Sequence, residues 1–148
     1  YKYTYNTNKN IPLKKAFIDF SKDDDLDKFI KHLKVFFYGF PFSMDNEKAN
    51  ELHYHSILYT ALASVGADIT ANQETALGKA DLVLKMPKTI YVIELKYNRS
   101  ANAAMRQIEQ REYAKAHLDS GKRIVKLAIN FSSKERNIES YKTEEEKL

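Results

Sequence analysis

The sequence predicts an α/β domain, a mixed sheet of about four strands flanked by helices. Three observations carry that prediction. Apolar residues recur at helical spacing up to Gly66. Beyond it the period shortens to that of strands. Two of those strands are separated by roughly 25 residues, enough for a helical crossover between parallel neighbours.

The opening residues, 1–10, are polar and aromatic and lack the basic-then-apolar order of a signal peptide. With Tyr1 in place of Met, the chain reads as a piece of a longer polypeptide, residues 1–20 forming a lead-in and 21–148 the domain. Ser21 with Asp24 reads as a capping box. Leu26, Phe29, Ile30, Leu33 and Phe37 then follow at helical spacing, and Gly39 and Pro41 are expected to stop that helix. A second helix is expected from Asp45 or Asn46 to Gly66, burying Tyr54, Leu58, Ala61, Leu62 and Val65. Glu51 and His55 begin the row that Leu58 and Leu62 continue, so an acid faces inward.

Strands follow at 68–75, 80–86 and 89–97, with Pro87 and Lys88 as a tight turn between the last two. Ser100 is placed to cap a third helix that buries Ala101, Ala104, Met105 and Ile108, and Gly121 to end it. The nearly continuous apolar run at 123–131 suits a strand covered on both faces. In the charged tail a short strand is expected near 138–141.

Composition acts mainly by exclusion. With 148 residues, 43% hydrophobic and 30% charged, one compact globule is favoured over a disordered or multidomain chain. Four Gly and three Pro exclude collagen-like and low-complexity classes. The net charge of +4 permits a nucleic-acid partner without demanding one. Zero Cys removes disulfides, thiolate zinc sites and cysteine nucleophiles, and suits the expected cytoplasmic location. The longest run without Asp, Glu, Lys or Arg, 52–67, falls short of a membrane span. No Walker loop, GxGxxG or His-Glu-x-x-His pattern occurs, so this piece is not expected to hydrolyse ATP itself.

The predicted hairpin sets Met86 opposite Thr89, Val83 opposite Val92, Asp81 opposite Glu94 and Lys79 opposite Lys96. Alternation puts Asp81, Glu94 and Lys96 on one face. Two carboxylates about 4 Å apart at an effective dielectric near 20 repel by roughly 4 kcal/mol before relaxation. A hard divalent cation offsets that repulsion and takes phosphate oxygens in its remaining positions, an arrangement suited to phosphodiester hydrolysis. Lys96 lies one residue pair along, where it can orient water or stabilise charge on phosphate. Of equal weight is an ordinary ion-pair network in which Lys79 and Lys96 neutralise the acids. An acid-x-Lys string is weak alone, occurring at 94–96 and again at 145–147, but only the first lies in an apolar strand with an acid opposite.

Asp81, then Glu94-Leu95-Lys96, a helical Glu51 and a following crossover helix resemble the PD-(D/E)XK nuclease superfamily with its restriction-endonuclease-like core. More narrowly, residues 24–141 resemble the nuclease-like C-terminal domain of predicted AAA-ATPase-like bacterial proteins. The resemblance rests on Gly78-Lys79-Ala80-Asp81-Leu82-Val83-Leu84, Ile93-Glu94-Leu95-Lys96, Gln107-Ile108 with Tyr113-Ala114, and Asn130-Phe131 with Arg136-Asn137-Ile138. It implies that Asp81, Glu94 and the Leu95 carbonyl hold Mg²⁺ or Mn²⁺, and that Lys96 is the catalytic lysine. It further implies that Glu51 is an auxiliary acid, and that Gln107 and Tyr113 lie near the substrate or the lysine. The implied partners are nucleic acid, DNA in particular, and an upstream ATPase-like domain of the same chain. A catalytically inactive nucleic-acid- or protein-binding module on the same fold is the alternative. Ala80 stands where the superfamily label has Pro, and Lys79 where this group has Arg.

Other residues have blander readings. His55 reads as hydrogen-bonded to Glu51 in preference to a metal ligand, and His53 as a surface residue. Gln107 is equally a boundary residue beside Ala104 and Ile108. Lys79, Lys85, Arg99, Arg106 and Arg111 are solvated charges by default, or a phosphate-tracking surface.

Overall fold

A computed structural model describes residues 7–39, 47–75 and 78–147. They fall into two compact units, Tyr1–Pro41 and Phe42–Leu148. The first is a helical pair, α1 (Thr7–Asp23) and α2 (Leu26–Tyr38). Residues 7–20, expected to be a lead-in, are therefore helical. The anticipated capping box is not used. Ser21 sits inside α1, where its hydroxyl donates to the Phe17 carbonyl at 3.0 Å. Asp24 turns the chain at φ 53°, and Asp25 caps α2 by accepting from the Lys28 amide at 3.1 Å. The pair is joined by aromatic packing, with Phe20 stacked on Phe29 at 4.7 Å and Phe17 edge-on to Phe29 at 6.1 Å. Gly39 ends α2 as expected, whereas Pro41 and the proposed helix start at Asp45 or Asn46 lie outside the described residues.

The second unit begins with α3 (Glu47–Ser64) and continues through β1 (Asp68–Thr75), β2 (Gly78–Lys85), β3 (Thr89–Tyr97), α4 (Ala101–Gln110), a 3₁₀ helix (Tyr113–Ser120), β4 (Arg123–Ser132) and β5 (Asn137–Glu146). The strands form one mixed sheet in the order β1-β2-β3-β4-β5. Only β3 and β4 pair in parallel, across the predicted crossover. The hairpin register is as read from the sequence. Val83 pairs with Val92 and Leu82 with Ile93, and the Met86 amide donates to the Thr89 carbonyl at 2.8 Å to close the turn. The last strand is longer than expected, since β5 follows the backbone of β4 nearly to the chain's end.

The third helix is also corrected. Ser100 caps it through the Ala103 amide, but Glu112 adopts φ 52° and divides the expected helix into α4 and the 3₁₀ segment that Gly121 ends at φ 75°. One layer of core forms where Ala104, Met105 and Ile108 of α4 meet Val83, Ile90, Val92, Ile124 and Ala128 of the sheet. α3 buries the predicted Tyr54, Leu58, Ala61 and Leu62, Val65 is buried just past its end, and Tyr54 stacks on Phe131 at 4.3 Å. Burying each such Leu or Ile contributes roughly 1.5–3 kcal/mol. Among the described residues no helix is long and apolar enough to cross a membrane.

Candidate active site

The site originates in an interruption of the sheet. β1 pairs with β2 along its length except at Asn72 and Asp81, and Asn72 is left-handed at φ 52°. On the other side the β2–β3 ladder runs from Lys85↔Ile90 only as far as Leu82↔Ile93. Asp81 thus belongs to neither ladder, and the expected Lys79–Lys96 pairing does not form. Ala80 and Val83, of opposite parity, share the core layer under α4, so side-chain alternation also breaks between them. Asn tolerates the left-handed region better than most residues, which suits it to this position.

Asp81 fills the gap with its own side chain. Its Oδ2 accepts from the Leu95 amide at 2.8 Å, replacing a ladder bond. Its main-chain carbonyl is met by His55 Nε2 at 3.0 Å. The Asp81 carboxyl lies beside that of Glu94, which is only 2% exposed. Burial, then the neighbouring Asp81 carboxyl, push the Glu94 pKa up to about 9, against the opposing pull of Lys96. Glu94 Oε2 is buried with no hydrogen-bond partner among the described residues.

The lysines do not neutralise this pair by contact. Lys96 Nζ donates to Gln107 Oε1 of α4 at 2.7 Å, and Lys79 forms an exposed ion pair with Glu74 at 3.4 Å. Gln107 therefore lies beside the lysine. Tyr113 is buried in the core layer, and a Cβ added to Gly78, at φ 149°, would come within 3.1 Å of its hydroxyl. His53, expected at the surface, is half-buried, and burial lowers its pKa.

A cleft of about 390 Å³ opens over the gap, lined by Glu51, Leu52, His55, Ser56, Tyr59, Thr60, Asn72, Asp81 and Leu95. Glu51 is placed there by the helical row seen in the sequence. His55 bonds to Asp81 and not, as expected, to Glu51. Tyr59 and Asn72 were not singled out from the sequence. For Asn72 the available signal was a left-handed-tolerant residue inside a Thr- and Ile-containing strand. Among the described residues no group of three or more His, Cys, Asp or Glu side chains forms a ready metal cluster. The two acids nevertheless fit a divalent cation, because one would partner the buried Glu94 oxygen and offset the repulsion between Glu94 and Asp81.

A mixed sheet flanked by helices, with an acid at the break of a hairpin and Glu-Leu-Lys on the facing strand, defines a restriction-endonuclease-like α/β protein. A family model, the PD-(D/E)XK nuclease superfamily, matches residues 49–141. The chain belongs to that superfamily, whose members usually use divalent metals. An uncharacterized protein in the vnfD 5′ region of Azotobacter chroococcum mcd 1 is 26% identical over 96 residues, 64% of this chain. The chain spans 19% of the length of that curated relative. No solved structure matches the chain.

Proposed function

We propose that the chain is a divalent-metal-dependent nuclease domain that hydrolyses phosphodiester bonds in DNA, within a larger ATPase-like protein. The observation that carries this reading is the Asp81–Glu94 pair, neighbouring acids of which Asp81 lines the open cleft and neither is bonded to a lysine among the described residues. Asp81, Glu94 and the Leu95 carbonyl would hold Mg²⁺ or Mn²⁺. In an extended strand the N–H and C=O of one residue share an edge, so the carbonyl of Leu95 faces the gap with its amide. Bound there, the ion supplies charge stabilisation for an attacked phosphate.

The chain's own groups supply the rest. Gln107 fixes the Lys96 ammonium, which stabilises negative charge developing on phosphate oxygens or orients the attacking water. Glu51 acts as an auxiliary acid across the cleft. DNA as substrate, and the ATPase-like neighbour, rest on the sequence resemblance.

One observation favours a noncatalytic binding module, the near-complete burial of Glu94. Incubation of linear and circular DNA with the protein and Mg²⁺ or Mn²⁺ separates the two. Metal-dependent cleavage that Asp81→Ala and Lys96→Ala abolish in folded protein supports the enzyme. Binding without cleavage supports the module.

A further inference from the structure

We infer that His55 is a positioning residue that holds Asp81 out of the sheet by hydrogen-bonding its main-chain carbonyl. Asp81 stands in neither neighbouring ladder, and a buried or half-buried carbonyl left without a donor is costly. His55 reaches it from α3 at 3.0 Å. A carbonyl only accepts, so the proton resides on Nε2 and fixes the tautomer. The opposite restraint comes from the Leu95 amide on Oδ2 at 2.8 Å. Asp81 is thereby fixed at two points, by a helix through its backbone and by a strand through its carboxylate.

The consequence is geometric. Were β2 to relax into regular pairing with β1 at Asn72, the Asp81 carboxylate would leave the Leu95 amide and the contact with Glu94. His55 therefore keeps the acid pair assembled through the Asp81 backbone. Its effect on catalysis rests on the nuclease reading, but its effect on Asp81 does not.

The test compares His55→Leu, which removes the donor, with His55→Gln, which retains an N–H of similar reach, both in metal-free protein. Hydrogen exchange of the Leu95 amide is predicted to quicken at least about tenfold in His55→Leu and to return towards wild type in His55→Gln, the Val92 and Ile129 amides staying unchanged. Mn²⁺ affinity is predicted to weaken by about 10–100-fold in His55→Leu, as for other groups that orient a metal ligand. Long-range ¹⁵N spectra of the wild-type protein should place the His55 proton on Nε2, a readout that survives even if a variant fails to fold. A proton on Nδ1, unchanged Leu95 exchange in His55→Leu, or a His55→Gln protein as impaired as His55→Leu would each overturn the inference. If the wild-type protein binds no Mn²⁺, the nuclease reading fails, and the exchange and tautomer results alone decide the role of His55.

Discussion

The sheet carries two clusters of carboxylates, and they are resolved in opposite ways. Around Lys126, itself only 8% exposed, Glu109, Glu144 and Glu146 lie 3.7, 3.5 and 3.2 Å from one ammonium, with Lys142 3.6 Å from Glu144. The close approach of Glu109 and Glu144 raises the pKa of Glu109 and, with Lys126 and Lys142 beside it, lowers that of Glu144. Among the described residues the acid pair at Asp81 and Glu94 has no such cation in contact, because Lys96 is bonded to a neutral amide and Lys79 to Glu74 opposite it on β1. A count of acids would rank the Lys126 cluster higher. What separates them is contact: each acid of the first cluster lies within 3.7 Å of a lysine ammonium, whereas among the described residues neither acid of the second is paired with a cation, and Asp81 lines an open cleft.

The largest effect that could break this contrast is loss of cleavage. Asp81→Ala is predicted to reduce DNA cleavage by on the order of 10²–10³, whereas Lys126→Met should leave it within about twofold, both measured with Mg²⁺ saturating. Equal losses in the two variants would erase the distinction.

A pH effect comes next. Burial and the neighbouring Asp81 push the Glu94 pKa up to about 9 in the fold, whereas the unfolded chain returns it to the ordinary carboxylate value of 4.5. Its contribution to stability is therefore complete below the unfolded value and declines as pH rises through that window, because the native state binds the extra proton. Urea midpoints of metal-free protein should fall between about pH 6 and about pH 9, and Glu94→Gln should flatten that fall. A rising midpoint in wild type, or an unchanged slope in Glu94→Gln, would contradict the assignment.

Stability reads the other cluster. Lys126→Met leaves three glutamates facing one another and is predicted to cost on the order of 2 kcal/mol, seen as a lowered urea midpoint. The smallest effect belongs to Gln107→Leu, which should lower kcat about tenfold by freeing Lys96, with little change in stability.

Much of this was legible in the residues. The hairpin register follows from a two-residue turn at Pro87 and Lys88, and extended one pair past the Leu82–Ile93 end of the ladder it aligns Asp81 with Glu94. The α3 stripe and the crossover were equally plain, since each rests on local periodicity. The interruption at Asp81 was not, because it depends on Asn72 taking a left-handed φ in another strand and on His55 supplying a bond across the layer. The helix at Thr7–Asp23 is not legible because the Ser21–Asp24 pattern imitates a cap, while Asp24 at φ 53° moves the true cap to Asp25. The second acid-x-Lys string behaves as its setting suggested: Glu145, at the end of β5, faces Arg123 at 3.9 Å.

Calorimetric titration of the metal-free protein with Mn²⁺, in two buffers of different ionisation enthalpy near about pH 7.5, tests the central claim most directly. The account predicts binding accompanied by release of about one proton per ion, both lost in Asp81→Ala and the proton release lost in Glu94→Gln. Binding that neither substitution alters, or no binding at all, would contradict it.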